Sequence, residues 1–402
     1  MSSTKAKKEV FCIHHILTAY DKETGFTLDD IDVNLCTYLV YAYFGITESG
    51  HLVSKRPMLD HYKENVIKFN NLKNDNGELK TLLAIGGWEN ENSPKYSNVA
   101  ADPGKKRNFI RSTTEFIKKY NFDGIALHWC FPGMFGGDPI YDKINFSRWL
   151  KQIKNEFARL DFKLMVMVQG EVNNIDLSYD VPGINESVDF IFLTTYDLYG
   201  KWRDHIGIHS GLYKSPNANV DYLNADFVVR NWIENGAAPE KLIMGIPFFG
   251  RTFTLADANE NQPGAKFSYV GEHGEFMDYL NICKNTKNGN WILKWDSDAM
   301  GPYSYNGNQW VGYDNIQSIQ IKGKYIDKYK LGGAAGIFIE DDDFRGICDN
   351  EKYPLLSTLA KAMGLNVKKE ISKLLININL QKKNKKNQEQ EVVLNHNEKF
   401  EL

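Results

Sequence analysis

Three residues of one short apolar run share a strand face and could carry chemistry together. Residues 124–129 are typical of a buried strand, where side chains repeat with a period of two, so Ala126, His128 and Cys130 point the same way. His128 and Cys130 would lie ~6.6 Å apart along the strand, near enough for the imidazole to lower the pKa of the thiol. A thiol–imidazole nucleophile also needs an oxyanion hole and an orienting third group, and the sequence identifies neither. The pair therefore indicates either thiol chemistry or a pocket wall with no chemical role.

The elements that must position these side chains alternate regularly from Val10 to Gly364. The short apolar runs predicted as buried strands are 10–13, 37–42, 81–85, 124–129, 163–168, 190–195, 242–246 and 334–339. Helical patterns lie between most of them, for example at 108–120, 146–159 and 225–235. Eight strands with intervening helices predict the α/β class and a closed TIM (β/α)8 barrel, with an open doubly wound sheet as the competing architecture.

Changes in composition divide the chain into predicted parts. Residues 1–9 form a polar leader, and 10–255 with 324–364 form the barrel. Residues 256–323, rich in Gly, Asn, Tyr and Trp, predict a small α+β insertion between the seventh and eighth strands. Residues 365–402, with a basic pentad followed by Gln, Glu and Asn, predict a disordered tail.

Charge and composition exclude several functions. The 402 residues include 48 basic and 51 acidic side chains, and this near-neutral balance offers no field for nucleic acid. No apolar run approaches the ~20 residues that a membrane span needs. Five cysteines leave at least one thiol unpaired within the molecule. We expect a monomer with neither a cofactor nor a metal ion.

Several segments together resemble glycoside hydrolase family 18, the chitinases and chitinase-like proteins. They match the family's strands in order and are 35–43 (LCTYLVYAY), 83–88 (LAIGGW), 195–197 (TYD), 244–247 (MGIP) with 250–251 (GR), and 332–334 (GGA). The likeness extends from about Val10 to Gly364. It implies a barrel whose mouth takes chitin or a related glycan.

The resemblance also implies that the fourth strand has lost its chemistry. The family carries D-x-x-D-x-D-x-E there, and of the four acidic positions only Asp123, whose role in the family is mainly structural, remains beside Ala126, His128 and Cys130. In the family the sugar's own N-acetyl group attacks while the glutamic acid protonates the leaving oxygen, and a thiol of pKa ~8.5 is a poor donor for that step. The preceding aspartate holds the acetamide N–H, and a protonated His128 in its place would oppose the developing positive charge. We therefore expect no hydrolysis of chitin.

Sugar binding is expected to be only partly kept. The resemblance implies that Trp88, Tyr196, Asp197 and Arg251 line the central subsites. Trp88, Tyr196 and Arg251 could instead be buried residues that serve the barrel core. Trp202, in the loop after the sixth strand, either lines the groove or packs within the loop.

Other aromatic positions of the family are replaced. Ile337 replaces the tryptophan that forms the floor of the family's central sugar site. Ile13 and Leu17 replace the aromatic residues of the first strand, and His14 is at best a polar substitute for them. Binding of ordinary chitooligosaccharides is therefore expected to be weak, while a partial cleft could hold another glycan. A zinc site of His128, Cys130 and Asp197 is the alternative use of the same pocket.

The cysteines and sequons suggest where the protein acts. The resemblance implies the disulfides Cys12–Cys36 and Cys283–Cys348, which need an oxidising compartment. Asn145 and Asn185 begin sequons that are usable in the same compartment. No signal peptide is visible in the polar, lysine-rich residues 1–9, yet the four cysteines favour the secretory pathway and an extracellular location.

These observations predict a non-catalytic chitinase-like protein that acts as a glycan-binding lectin or as a secreted signalling or immune-modulating factor. Its expected partners are N-acetylglucosamine-containing glycans or a protein receptor. Two alternatives remain: an altered or residual enzyme, and a pseudo-enzyme scaffold for a protein partner.

Overall fold

The structure is a computed structural model of the chain and describes residues 8–16, 25–62, 64–88, 93–170, 172–218, 220–348 and 350–366. Most of the predicted leader and of the predicted tail, including its basic pentad, lies outside the described residues. Within them, no helix is both long and apolar enough to cross a membrane.

Parallel strands close into a barrel, as the alternating pattern predicts. They are β1 (Glu9–His15), β2 (Tyr38–Ile46), β4 (Lys80–Gly86), β5 (Gly124–His128), β6 (Lys163–Gln169), β7 (Phe190–Thr194), β8 (Leu242–Pro247) and β15 (Gly333–Ile337). The circle closes because β1 pairs in parallel with both β2 and β15. A short strand, β3 (Leu52–Ser54), runs antiparallel to the end of β2. The predicted (β/α)8 barrel is therefore confirmed.

Helices connect or follow the barrel strands, and several of them begin where the local sequence supplies a cap. They are α1 (Asn65–Asn71), α2 (Ser93–Ala101), α3 (Pro103–Lys119), α4 (Asp142–Ala158), α5 (Val172–Ser178), α6 (Val181–Ser187), α7 (Ala225–Glu234), α9 (Ile316–Tyr329) and α10 (Pro354–Ala362). The α3 helix starts with a proline after Asp102, whose carboxylate accepts a hydrogen bond from the N–H of Lys105 at 2.8 Å. Asn224 caps α7 in the same way through the N–H of Phe227.

A small antiparallel sheet interrupts the barrel between β8 and β15. Its strands are β9 (Phe249–Leu255), β10 (Phe267–Val270), β11 (Phe276–Asp278), β12 (Ile292–Asp296), β13 (Gly301–Asn306) and β14 (Gln309–Gly312), and it includes the helix α8 (Tyr279–Lys287). The predicted insertion is confirmed, but the sheet begins at Phe249 rather than Ala256. Only Phe248 separates β8 from β9, so the sequence of the two strands reads as one continuous apolar run. The pattern therefore does not show where the chain passes from the barrel to the small sheet. The predicted end at 323 falls inside α9, which leads back to the barrel.

The barrel interior is filled by side chains from all around the circle. Ala126 of β5 is among them, in contact with a cluster that includes Val40, Ala84 and Met165. The strand face predicted for Ala126, His128 and Cys130 therefore points inward.

Two disulfides link neighbouring elements, with the pairings that the resemblance implies. Cys12 on β1 is bonded to Cys36 just before β2, with their Cα atoms 5.8 Å apart. Cys283 on α8 is bonded to Cys348 after β15, with a Cα separation of 6.2 Å. Cys130 is the free cysteine, and it is buried.

Candidate functional site

A cleft of about 880 Å³ opens at the carboxyl ends of the barrel strands, where the active sites of (β/α)8 barrels lie. Most of its wall is apolar and aromatic. The residues that line it are His15, Tyr43, Trp88, His128, Phe131, Met134, Phe135, Gln169, Gly170, Thr194, Tyr196, Asp197, Leu198, Trp202, Phe249, Arg251, Phe276, Asp278, Ile337, Phe338 and Asp341.

His128 and Cys130 meet below this cleft. The Sγ atom of Cys130 lies 3.0 Å from Nε2 of His128, so the two side chains converge far more closely than their spacing along the strand requires. Burial raises the pKa of the Cys130 thiol above its ordinary value, although Lys55 opposes this effect. Burial, with Lys55 as a smaller cause, lowers the pKa of His128 to about 4. Both groups are therefore neutral near pH 7, and a neutral thiol is neither a good acid nor a thiolate nucleophile.

One ring nitrogen of His128 makes no hydrogen bond within the described residues. Its Nδ1 is buried and has no hydrogen-bond partner in the described part of the chain, although the side chain lines the cleft. An unpaired buried nitrogen is costly, so a polar group that reached this atom would remove that cost.

Asp197 and Arg251 form an ion pair at the other side of the cleft. Nε of Arg251 donates to Oδ1 of Asp197 at 2.8 Å, and Nδ1 of His209 lies 3.3 Å from the same oxygen. Burial opposes ionisation of Asp197, but the hydrogen bonds from His209 and Arg251 outweigh it and lower the pKa of the carboxyl. Arg251 also pairs with Glu275, at 3.3 Å.

The alternative zinc site is not formed. Asp197 is bound to Arg251 and His209, and no group of three His, Cys, Asp or Glu side chains in the described ranges is placed to hold a metal ion. His128 and Cys130 supply only two donors, fewer than the three or four protein ligands of zinc sites.

Two exposed tryptophans give the cleft flat apolar surfaces. Trp88 is 65% exposed, and its ring centre lies 5.6 Å from that of Phe131. Trp202 is 44% exposed and lines the groove rather than packing away in its loop, with the guanidinium of Arg251 4.9 Å from its ring centre. Tyr196 is partly buried and packs edge-on against Phe249. Exposed rings of this kind suit the apolar face of a pyranose.

A residue that the sequence analysis did not single out adds an aromatic ring to the cleft. Ile337 lines the cleft, and the next residue, Phe338, adds an aromatic ring 4.9 Å from that of His15. His14 is not the polar substitute: it is buried away from the cleft, with Nδ1 3.3 Å from Oε2 of Glu340. His15 lines the cleft instead, as a period of two counted from Ile13 indicates. Leu17 lies outside the described residues.

Asp123 lies outside the cleft lining and holds two strands together. Its Oδ2 accepts hydrogen bonds from the N–H of Thr81 at 2.7 Å and from Nζ of Lys73 at 3.1 Å. These contacts join β4 to the start of β5, in keeping with the structural role that the resemblance implies.

Both sequons lie in helices. Asn145 is in α4 and is followed by the buried Phe146 and Ser147. Asn185 is in α6, where its Oδ1 accepts a hydrogen bond from the N–H of Ala238 at 2.9 Å. Glycosylation at either asparagine stays a prediction.

Comparison with known proteins agrees with this architecture. The model of the glycosyl hydrolases family 18 matches residues 16–340. An endochitinase of Manduca sexta is 33% identical over 378 residues, which cover 89% of this chain and 68% of that protein. The chain therefore belongs to glycosyl hydrolases family 18.

Two solved structures are similar over most of the chain. The Group IV chitinase of Ostrinia furnacalis in complex with allosamidin is 34% identical, with a TM-score of 0.85, over 89% of this chain and 98% of that one. Human YKL-39, a pseudo-chitinase with retained chitooligosaccharide binding properties, is 29% identical, with a TM-score of 0.81, over 89% of this chain and 100% of that one.

Proposed function

We propose that the protein is a non-catalytic, glycan-binding member of its family. The observation that carries this proposal is the neutral pair of Cys130 and His128, which stands where the resemblance places the catalytic acid and its neighbouring carboxylate. A family 18 reaction needs a proton donor and an anionic partner for the oxazolinium, and these side chains supply neither.

Glycan binding is supported by the cleft itself. Its volume of about 880 Å³, its aromatic wall and the exposed Trp88 and Trp202 suit an extended sugar chain. The pseudo-chitinase YKL-39, which is similar in fold, retains chitooligosaccharide binding. Phe338 offers a new aromatic surface beside Ile337, where the family's tryptophan is missing.

We infer that the protein acts in the secretory pathway or outside the cell. The disulfides Cys12–Cys36 and Cys283–Cys348 form and persist in oxidising compartments and are rare in the cytosol.

Titration of the disulfide-intact protein with a pentamer of N-acetylglucosamine tests glycan binding. We expect a Kd of roughly 10 μM to 1 mM, equivalent to about 4–7 kcal/mol. Trp88→Ala should weaken binding about tenfold, because it removes a stacking surface. Tyr269→Ala, which removes a ring that is 76% exposed and outside the cleft, should leave the affinity unchanged. Binding that is insensitive to Trp88 would contradict the placement of the ligand in the cleft.

A further inference from the structure

Two carboxylates in the cleft have no cation beside them. Asp278 and Asp341 both line the cleft, and among the described residues neither forms an ion pair. Arg251, the cationic side chain in the same wall, is already shared between Asp197 and Glu275. This side of the cleft therefore has more acidic groups than cations to pair with them.

The pKa of Asp341 reflects this shortage of cations. Burial, then the negative charges of Glu340 and Asp278, raise its pKa well above the usual value, and Asp342 adds to the effect. The Nδ1 atom of the nearby His14 lies 3.3 Å from Oε2 of Glu340. Because negative neighbours contribute to this raised pKa, a cation that approaches Asp341 favours the ionised form of its carboxyl.

Each of these acids has an aromatic cleft residue close by on its own segment. Phe276 comes two residues before Asp278 on β11, and the N–H of Asp341 donates to the carbonyl of Phe338 at 3.1 Å. A carboxylate beside an aromatic ring is a favourable environment for an ammonium group. The ring of Phe276 already has the guanidinium of Arg251 3.9 Å from its centre, so Phe338 beside Asp341 is the better placed ring. An uncharged sugar can hydrogen-bond to these acids, but it lacks the charge–charge attraction that an ammonium group gains.

His128 gives the second, independent indication of a ligand. Its side chain is 8% exposed, lines the same cleft and has the unpartnered Nδ1. A sugar hydroxyl both donates and accepts a hydrogen bond, so it suits this nitrogen in either tautomer when the His128 ring turns toward the cleft. The carboxylate that would hold an acetamide N–H is absent, because His128 occupies its position.

We propose that the cleft prefers oligosaccharides of glucosamine, whose amino groups are free and cationic, over their N-acetylated counterparts. The ammonium groups lie against Asp278 and Asp341, and the apolar sugar faces stack on the exposed tryptophans. This inference rests on the proposed glycan-binding function and assigns the chemical class of its ligand.

Parallel calorimetric titrations of the full chain with pentamers of glucosamine and of N-acetylglucosamine at pH 6 test the preference. We expect the glucosamine pentamer to bind at least tenfold more tightly, and raising NaCl from about 0.05 to 0.5 M to weaken only its binding, because salt screens the carboxylates. Asp341→Asn and Asp278→Asn should each bring the ratio of the two affinities closer to one. The asparagine at 278 can still accept the hydrogen bond by which Asp278 caps α8, so this variant retains the helix start.

Glu260→Gln removes an exposed acid outside the cleft lining and should leave the ratio unchanged. If it lowers the ratio as much as the cleft variants do, the preference is general attraction of a polycation and the inference is overturned. Equal affinities, or tighter binding of the acetylated pentamer, overturn the inference and leave the glycan-binding function standing. Binding of neither pentamer overturns both. Binding of the glucosamine pentamer alone supports both and makes amino sugars the ligand.

Discussion

At the scale of single residues, the centre of the cleft is defined by what His128 and Cys130 do to each other. With Sγ and Nε2 3.0 Å apart and both groups buried, the thiol stays protonated and the imidazole neutral. The two side chains are placed as in a thiol–imidazole nucleophile, but the thiolate and the imidazolium that such a nucleophile needs are not formed. An exposed, electropositive environment is what activates such a thiol, and burial removes it here.

Iodoacetamide labelling of Cys130 is therefore expected to be slow. The other four cysteines are in disulfides, so labelling of the unreduced protein reports this thiol alone. At pH 7.5 we expect a rate at least about 100-fold below that of the same thiol in urea-unfolded protein, because burial lowers both access and the thiolate fraction. Mass spectrometry of the intact protein measures the rate. Labelling in the native state as fast as that of an unfolded thiol would favour the altered-enzyme alternative.

The residues of the site could be predicted where a family motif or a strand period fixed them. Trp88, Tyr196 and Arg251 belong to segments that match the family, and the structure places all three in the cleft lining. Asp278 and Phe338 could not be found in this way. They enter the cleft from the small sheet and from the residue after β15, and no local pattern reports contacts between segments so distant in sequence.

At the scale of elements, a buried cluster of charged side chains connects the end of β14 in the small sheet to the helix α9. Nζ of Lys322 on α9 lies 2.6 and 2.7 Å from the two oxygens of Asp314, which follows β14. Ser210 and Ser318 donate to the same carboxylate, each at 2.6 Å. Burial lowers the pKa of Lys322, although Asp314 opposes this change. All these groups are buried, so the cluster holds the residue after β14 against α9.

Lys322→Met should destabilise the protein by about 3–5 kcal/mol, because it leaves the Asp314 carboxylate buried without a counter-charge. Lys322→Met/Asp314→Leu should be more stable than this single variant, since no lone charge remains. Urea unfolding with the disulfides intact measures both free energies of unfolding.

The matched control is the exposed pair of Lys214 and Asp221, whose side chains are 42% and 79% exposed. Lys214→Met should cost no more than about 1 kcal/mol. An equal loss for Lys214→Met and Lys322→Met would contradict the account of the buried cluster.

The elements could be predicted from sequence to different degrees. Barrel strands were found because both of their faces are buried, which gives short continuous apolar runs such as β6 and β8. The start of β9 was missed because its own apolar run follows that of β8 after a single residue. Periodicity marks burial, and it does not reveal which sheet a strand joins.

At the scale of the whole molecule, the family fold is kept, and we propose that the chemistry at its mouth has changed. The barrel, the small sheet and the disulfides hold a large aromatic cleft open, and the strand that should carry the acids carries Ala126, His128 and Cys130. Stability and binding are separable from catalysis in such a scaffold, because function resides in a few side chains on a fold that serves many. A family member can therefore remain a receptor for glycans after it ceases to be an enzyme.

The most direct test of this account is a hydrolysis assay. Purified, disulfide-intact protein is incubated for a day with a hexamer of N-acetylglucosamine, and mass spectrometry measures the shorter oligomers against a buffer blank. We predict no product above the blank, because the proton donor and the anionic partner are both missing. Product that increases in proportion to the protein concentration and elutes with the protein would contradict the central claim that the cleft binds without cleaving.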